Sequence, residues 1–185
     1  MKVGITGSLS SGKSSVAKIL SQNNDLLFSA DSVVKKLYSN NQFKKGLKKK
    51  FKIKSKNIKA EIKTKLLKKE ISLKNLGKFI HPFVRAKMRQ FYKKNKNKKI
   101  LFFEIPLLIE SKLMNFFDFI ILVIAPKKIR LNRYLKNGGK KNIFYLLDKN
   151  QMSANKKIKF CDYLIVNNKS KNILKKQVND IINNV

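Results

Sequence analysis

The run Gly7-Ser8-Leu9-Ser10-Ser11-Gly12-Lys13-Ser14 matches the pattern G-x-x-x-x-G-K-[ST] in full. It constrains the fold because it works only where a strand hands over to a helix. Both flanks fit. Residues 2–6 read as a short strand, and residues 13–22 carry Val16, Ile19 and Leu20 at i, i+3, i+4 on one helix face. Glycines let the backbone turn tightly, so that successive N–H groups point at phosphate oxygens. The helix N-terminus adds partial positive charge. In such a loop Lys13 reaches the β- and γ-phosphates and the Ser14 hydroxyl ligates Mg²⁺. The nucleotide-contacting set read from the motif is Gly7, Ser10, Ser11, Gly12, Lys13, Ser14, Ser15 and Val16.

The rest of the chain supplies the sheet that such a loop needs. Short apolar runs occur at residues 26–28, 99–104, 116–124 and 163–166. The run at 116–124 is nearly all apolar, as a parallel sheet covered on both faces requires. Between the runs, helical spacing recurs: Ile80, Val84, Met88 and Phe91 over residues 80–92, and Ile173, Leu174, Val178, Ile181 and Ile182 over 170–182. Pro126 suits the first turn of a helix over 127–136, which Asn137-Gly138-Gly139 ends. Strands alternating with helices predict an open α/β sheet. From Phe43 to Gly77 the chain is lysine-rich with helical spacing (Leu47, Phe51; Ile62, Leu66, Leu67) and reads as a solvated helical segment.

Composition bounds the alternatives. The 185 residues suit one domain, residues 1–185, and the 43% apolar content is enough for a core. The single cysteine, Cys161, excludes an internal disulfide and an all-protein zinc site, and fits a reducing, cytoplasmic setting. There is no run of 18 apolar residues, so no membrane partner is expected, and the first residues run straight into the loop motif rather than into a leader. Lys and Arg number 44 against 10 acids, a net charge of +34. Only Arg85, Arg89, Arg130 and Arg133 are arginines; the other bases are lysines scattered among Asn, Ile and Phe. These residue types share A/T-rich codons, so genome base composition accounts for the excess, with nucleic acid bound nonspecifically if at all. A dedicated nucleic-acid surface lacks any supporting motif here.

The motif alone does not choose between GTPase, ATPase and kinase. No N-K-x-D base-reading motif follows. With so few acids, one at a strand's carboxyl end stands out. Asp31 sits just after the second strand, at the edge where open α/β sheets hold ligands. A carboxylate there accepts a proton from a substrate hydroxyl, or helps to hold Mg²⁺, or caps a helix over 32–38.

Taken together, these residues resemble the dephospho-coenzyme A kinase family. That family opens with T-G-G-x-G-S-G-K-S, here Thr6 to Ser14 with serines and a leucine among the glycine positions. Its D-A-D is Ser29-Ala30-Asp31, and its H-P-x-V-R is His81-Pro82-Phe83-Val84-Arg85. P-L-L-x-E is Pro106-Leu107-Leu108-Ile109-Glu110; Q-M is Gln151-Met152; D-Y-x-I-x-N runs from Asp162 to Asn167. The landmarks keep the family's order over nearly the whole chain.

The resemblance implies transfer of the ATP γ-phosphoryl group to the 3′-hydroxyl of dephospho-CoA, with Mg²⁺, in a monomer or weak oligomer. It implies a kinase fold with a five-stranded parallel sheet in the order 2-3-1-4-5 sandwiched by helices, that order being shared with nucleoside-monophosphate kinases. A helical substrate segment at about 43–80 and a lid at about 137–150 complete it. Asp31 is then the base or hydroxyl-orienting group, with His81, Pro82 and Arg85 beside the acceptor and His81-Pro82 opening a helix. Glu104 joins Ser14 at the metal. Glu110 anchors a helix start. Arg133 matches the first arginine of the family's R-x-x-x-R-D lid sequence and is expected to act on the transferring phosphate. The chain departs from the pattern there: the following positions are Asn137 and Gly138, and a further lid arginine is Leu147. Other kinases of small molecules or nucleotides with the same loop, or a basic nucleic-acid-binding protein on this fold, are the alternatives.

Overall fold

The computed structural model describes residues 1–21 and 26–183. They form two compact units, residues 1–29 with 94–185, and residues 30–93. The first unit is built on five parallel strands: β1 (Lys2–Gly7), β2 (Leu27–Ser29), β3 (Leu101–Glu104), β4 (Phe119–Ile124) and β5 (Tyr163–Val166). Their order is β2-β3-β1-β4-β5, as the resemblance implied. The strand that feeds the loop is therefore central, and its residues from Val3 onward are buried. Register pairs Ile5 with Glu104 and with Ile121, so β3 ends two residues before β1 does.

The apolar spacing read in the sequence is the packing that forms. Val16, Ala17 and Leu20 of α1 (Lys13–Ser21) meet Val3, Ile5, Ile121, Val123 and Ile165 of the sheet. Leu174, Val178 and Ile181 of α9 (Lys171–Asn183) close the same cluster. Val16 is fully buried and its N–H goes to Gly12 O at 3.2 Å, so its side chain packs the core. The first unit also holds α6 (Lys127–Lys136), α7 (Lys141–Lys149) and α8 (Ala154–Ile158). Pro126 is the N-cap residue of α6 and not part of its first turn. The part of β4 expected at 116–118 is instead a 3₁₀ turn at Met114–Phe116 and its exit.

The second unit contains α2 (Ala30–Leu37), α3 (Asn41–Phe51), α4 (Ile58–Leu67) and most of α5 (Leu73–Asn95). It reaches beyond the expected bounds of 43–80 on both sides. Asn40 and Asn57 cap α3 and α4, accepting from Phe43 N and Ala60 N. The core of the unit is aromatic: the Phe43 ring lies 5.3–5.6 Å from those of Tyr38, Phe79 and Phe83. Leu47, Phe51, Ile62 and Leu66 are buried as their spacing predicts, whereas Leu67 is exposed.

The helix expected to open at His81-Pro82 starts nine residues earlier. Ser72 supplies the start: its Oγ accepts from Asn75 N at 3.1 Å and its carbonyl from Leu76 N at 3.0 Å. Pro82 consequently lies inside α5, where it removes one helical N–H. Among the described residues no helix is long and apolar enough to cross a membrane.

Candidate functional site

The loop after β1 is held by side chains from the carboxyl end of the sheet. Gly7 has φ +150°, and a Cβ there would fall 2.1 Å from Val123 O, so the exit from β1 has room for glycine alone. Lys13 is buried, and its ammonium lies over the loop, donating to Ser8 O at 2.8 Å. Ser8 O also accepts from Ser11 N at 3.2 Å. Ser10 takes a left-handed φ of +56°, at a position where the resembled family has glycine. Ser15, beside Ser14 in the first turn of α1, is exposed.

Ser14 and Glu104 meet. The Ser14 hydroxyl donates to Glu104 Oε1 at 2.5 Å, and Glu104 is 3% exposed at the end of β3. A hydroxyl and a carboxylate, both oxygen donors, meet at the end of a phosphate loop, and this donor set fits Mg²⁺. That ion keeps most of its waters and takes one or two protein ligands beside substrate phosphates. No cluster of three or more His, Cys, Asp or Glu that could hold a metal occurs among the described residues. A dedicated all-protein cage is thus absent from that set.

The arginines are placed differently from the expectation. Arg130 and Arg133, three residues apart in α6, lie on one side of that helix. Arg130 is buried and donates to Asp148 Oδ1 at 2.6 Å, to Ala125 O at 3.1 Å and to Leu9 O at 3.3 Å. Arg133, expected to work from the lid, instead donates to the carbonyls of Ser11 (3.3 Å) and Asn167 (3.1 Å). The segment expected as a lid, 137–150, is largely α7, with Asn137 as the C-cap residue of α6. Phe144 of α7 is fully buried against the Tyr134 ring, at 5.6 Å.

Gln151 and Asn167 entered the sequence reading only as landmarks, yet both touch the loop. Leu9 N donates to Gln151 Oε1 at 2.8 Å, and Asn167 Nδ2 donates to Ser11 O at 2.9 Å. The signal that could have marked Asn167 is its position one residue past β5, at the sheet edge where ligands sit.

Glu110 anchors the chain just before α8 rather than a helix start as such: its Oε1 accepts from Met152 N and from the fully buried Lys157 ammonium, both at 3.0 Å. Burial pushes the Cys161 thiol up to about 11, which keeps it protonated and poorly nucleophilic.

Asp31, His81, Pro82 and Arg85 belong to the second unit. Asp31 lies two residues past β2, exposed, in the first turn of α2. It does not cap a helix over 32–38, because the helix already begins at Ala30.

His81 is half-buried, and burial together with the Arg85 charge holds its pKa below the usual imidazole value. The folded state therefore prefers neutral His81. Between that lowered value and 6.5 the unfolded chain binds more protons, so stability is lost as pH falls through this window. Thermal melts at pH 7.5 and pH 5.5 should show a drop in Tm that is smaller in His81→Gln. An equal drop in both would show that His81 does not contribute.

The family model described as dephospho-CoA kinase matches residues 1–172. A dephospho-CoA kinase of Rickettsia typhi is 32% identical over 100% of this chain and 97% of that one. One from Protochlamydia amoebophila is 34% identical over 90% and 87%. Among solved structures, the dephospho-CoA kinase from Campylobacter jejuni superposes with a TM-score of 0.67 at 25% identity, covering 99% of this chain and 96% of that one.

Proposed function

The chain belongs to the dephospho-CoA kinase family, and we propose that it transfers the γ-phosphoryl group of ATP to the 3′-hydroxyl of dephospho-CoA, giving coenzyme A. The observation that carries this reading is the Ser14–Glu104 pair at the mouth of a complete phosphate loop, in a chain matched by the family along most of its length.

In this reading Lys13 leaves Ser8 O to reach the β- and γ-phosphates, and the N–H groups of the loop and the first turn of α1 cradle them. Ser14 and Glu104 would hold Mg²⁺, which when bound neutralises charge on the phosphate oxygens. Asp31 orients the 3′-hydroxyl and accepts its proton as the oxygen attacks phosphorus; the bond to the bridging oxygen breaks, and ADP leaves. His81, Pro82 and Arg85 contact the acceptor. The acceptor's diphosphate also suits the basic concavity of about 560 Å³ lined by Lys35, Tyr38, Ser39, Lys44, Lys56 and Lys59. The protein works in the cytoplasm as a monomer or weak oligomer, and its lysines bind nucleic acid only nonspecifically.

A coupled ADP-release assay with dephospho-CoA, AMP, adenosine and phosphopantetheine tests the reading. ADP release should depend on dephospho-CoA and exceed that with the other acceptors by at least about tenfold. Preference for AMP or adenosine would assign the chain to a different acceptor.

A further inference from the structure

Three carbonyls of the phosphate loop, those of Ser8, Leu9 and Ser11, accept hydrogen bonds from side chains. The Ser8–Leu9 peptide is tied on both sides, by Lys13 at its carbonyl and by Gln151 at its N–H. The Leu9 carbonyl is held by Arg130. The Ser11 carbonyl accepts from two side chains at once, Asn167 Nδ2 at 2.9 Å and Arg133 Nη1 at 3.3 Å. These two side chains are also tied to each other, for Arg133 Nη2 donates to Asn167 O at 3.1 Å and Oδ1 at 3.4 Å. Asn167 is 7% exposed, and its own N–H goes to Ile124 O at the end of β4. The clamp is thereby fixed to the sheet.

A peptide unit is planar, with its C=O and N–H pointing in opposite directions. Holding the Ser11 carbonyl on the side of Asn167 and Arg133 turns the Gly12 N–H to the other side. Gly12 has φ +97°, and a Cβ there would fall 2.0 Å from Asn167 Nδ2, so the clamp closes only over glycine. Among the described residues no acid pairs with Arg133; its Nη1 and Nη2 donate to backbone carbonyls and to the Asn167 amide oxygen.

We propose that Asn167 and Arg133 are positioning residues for nucleotide binding: by holding the Ser11 carbonyl they aim the Gly12 N–H at the bound phosphates. Arg133 therefore acts from behind the loop and not on the transferring phosphoryl group. The proposal rests on the reading that this loop binds a triphosphate.

The test measures Kd for ATP and for inorganic tripolyphosphate in the full chain, with Tm and circular dichroism alongside. Tripolyphosphate has no base or sugar, so it reports on the loop alone. Asn167→Asp faces the Ser11 carbonyl with a carboxylate in place of a donor. Arg133→Gln removes the second donor and the fork, and is the variant that decides if Asn167→Asp fails to fold. Both Kd values should rise by the same factor, about tenfold or more in Asn167→Asp and severalfold in Arg133→Gln, while KM for dephospho-CoA stays within about twofold. A variant that loses ATP affinity but binds tripolyphosphate like the wild type would overturn the proposal, because the side chains would then contact the nucleoside. Unchanged affinity for both ligands in folded variants would overturn it equally. A wild-type chain that binds neither ligand would instead sink the nucleotide reading on which the proposal stands.

Discussion

Replacing Lys13 with alanine should lower kcat by about 10²- to 10³-fold while leaving the fold in place. The magnitude follows from removing one preorganised positive donor from the charge that develops on the γ-phosphoryl oxygens, worth about 3 kcal/mol or more. Survival of the fold follows from the contacts. The ammonium has Ser8 O as a partner, and that carbonyl keeps Ser11 N when Lys13 is truncated, so Ser8 O is not orphaned. The side chain is also absent from the apolar cluster of Val16, Ala17 and Leu20 that docks α1 on the sheet. Steady-state kinetics with saturating ATP, read beside a thermal melt, separates the two effects. A variant with near-wild-type kcat would show that this loop is not the catalytic centre.

The loop was legible because its requirements are local: two glycines, a lysine and a serine at fixed spacing between a strand and a helix. The sheet was legible because apolar runs between helical stretches leave few ways to cover both faces of a parallel sheet. What the sequence did not reveal was which partner a polar side chain chooses. Arg133 was expected to face a phosphate because it matches the first arginine of the resembled family's lid sequence. The structure satisfies it with carbonyls, which every residue carries and no sequence pattern marks. Arg130 found an acid, Asp148, in the segment expected to be a lid. The start of α5 was misplaced for a different reason. Pro is at home in a first helical turn, so His81-Pro82 resembled a start, yet the Ser72 cap nine residues upstream of His81 begins the helix and a 23-residue run tolerates the missing N–H at Pro82. The five-residue α8 lies below the length at which periodicity can be read.

Asp31→Asn should lower kcat by about 10²-fold or more with little loss of stability. Its position in the first turn of α2, directly after β2, gives the carboxylate two possible duties, chemistry and helix-end electrostatics. They have different magnitudes. An acid in a first turn gains about 0.3–1 kcal/mol from the helix dipole, and the isosteric amide gives up only that. A base that takes or orients the proton of the attacking hydroxyl contributes about 10²- to 10⁴-fold to the rate. The amide keeps the shape and can still accept a hydrogen bond, but it cannot take the proton, so kcat should fall much more than KM for dephospho-CoA rises. A mainly structural Asp31 would give the opposite pattern: a small drop in Tm with kcat unchanged. Measuring kcat, the acceptor KM and Tm on the same preparation decides between them, and full activity in Asp31→Asn would show that this carboxylate takes no part in the chemistry.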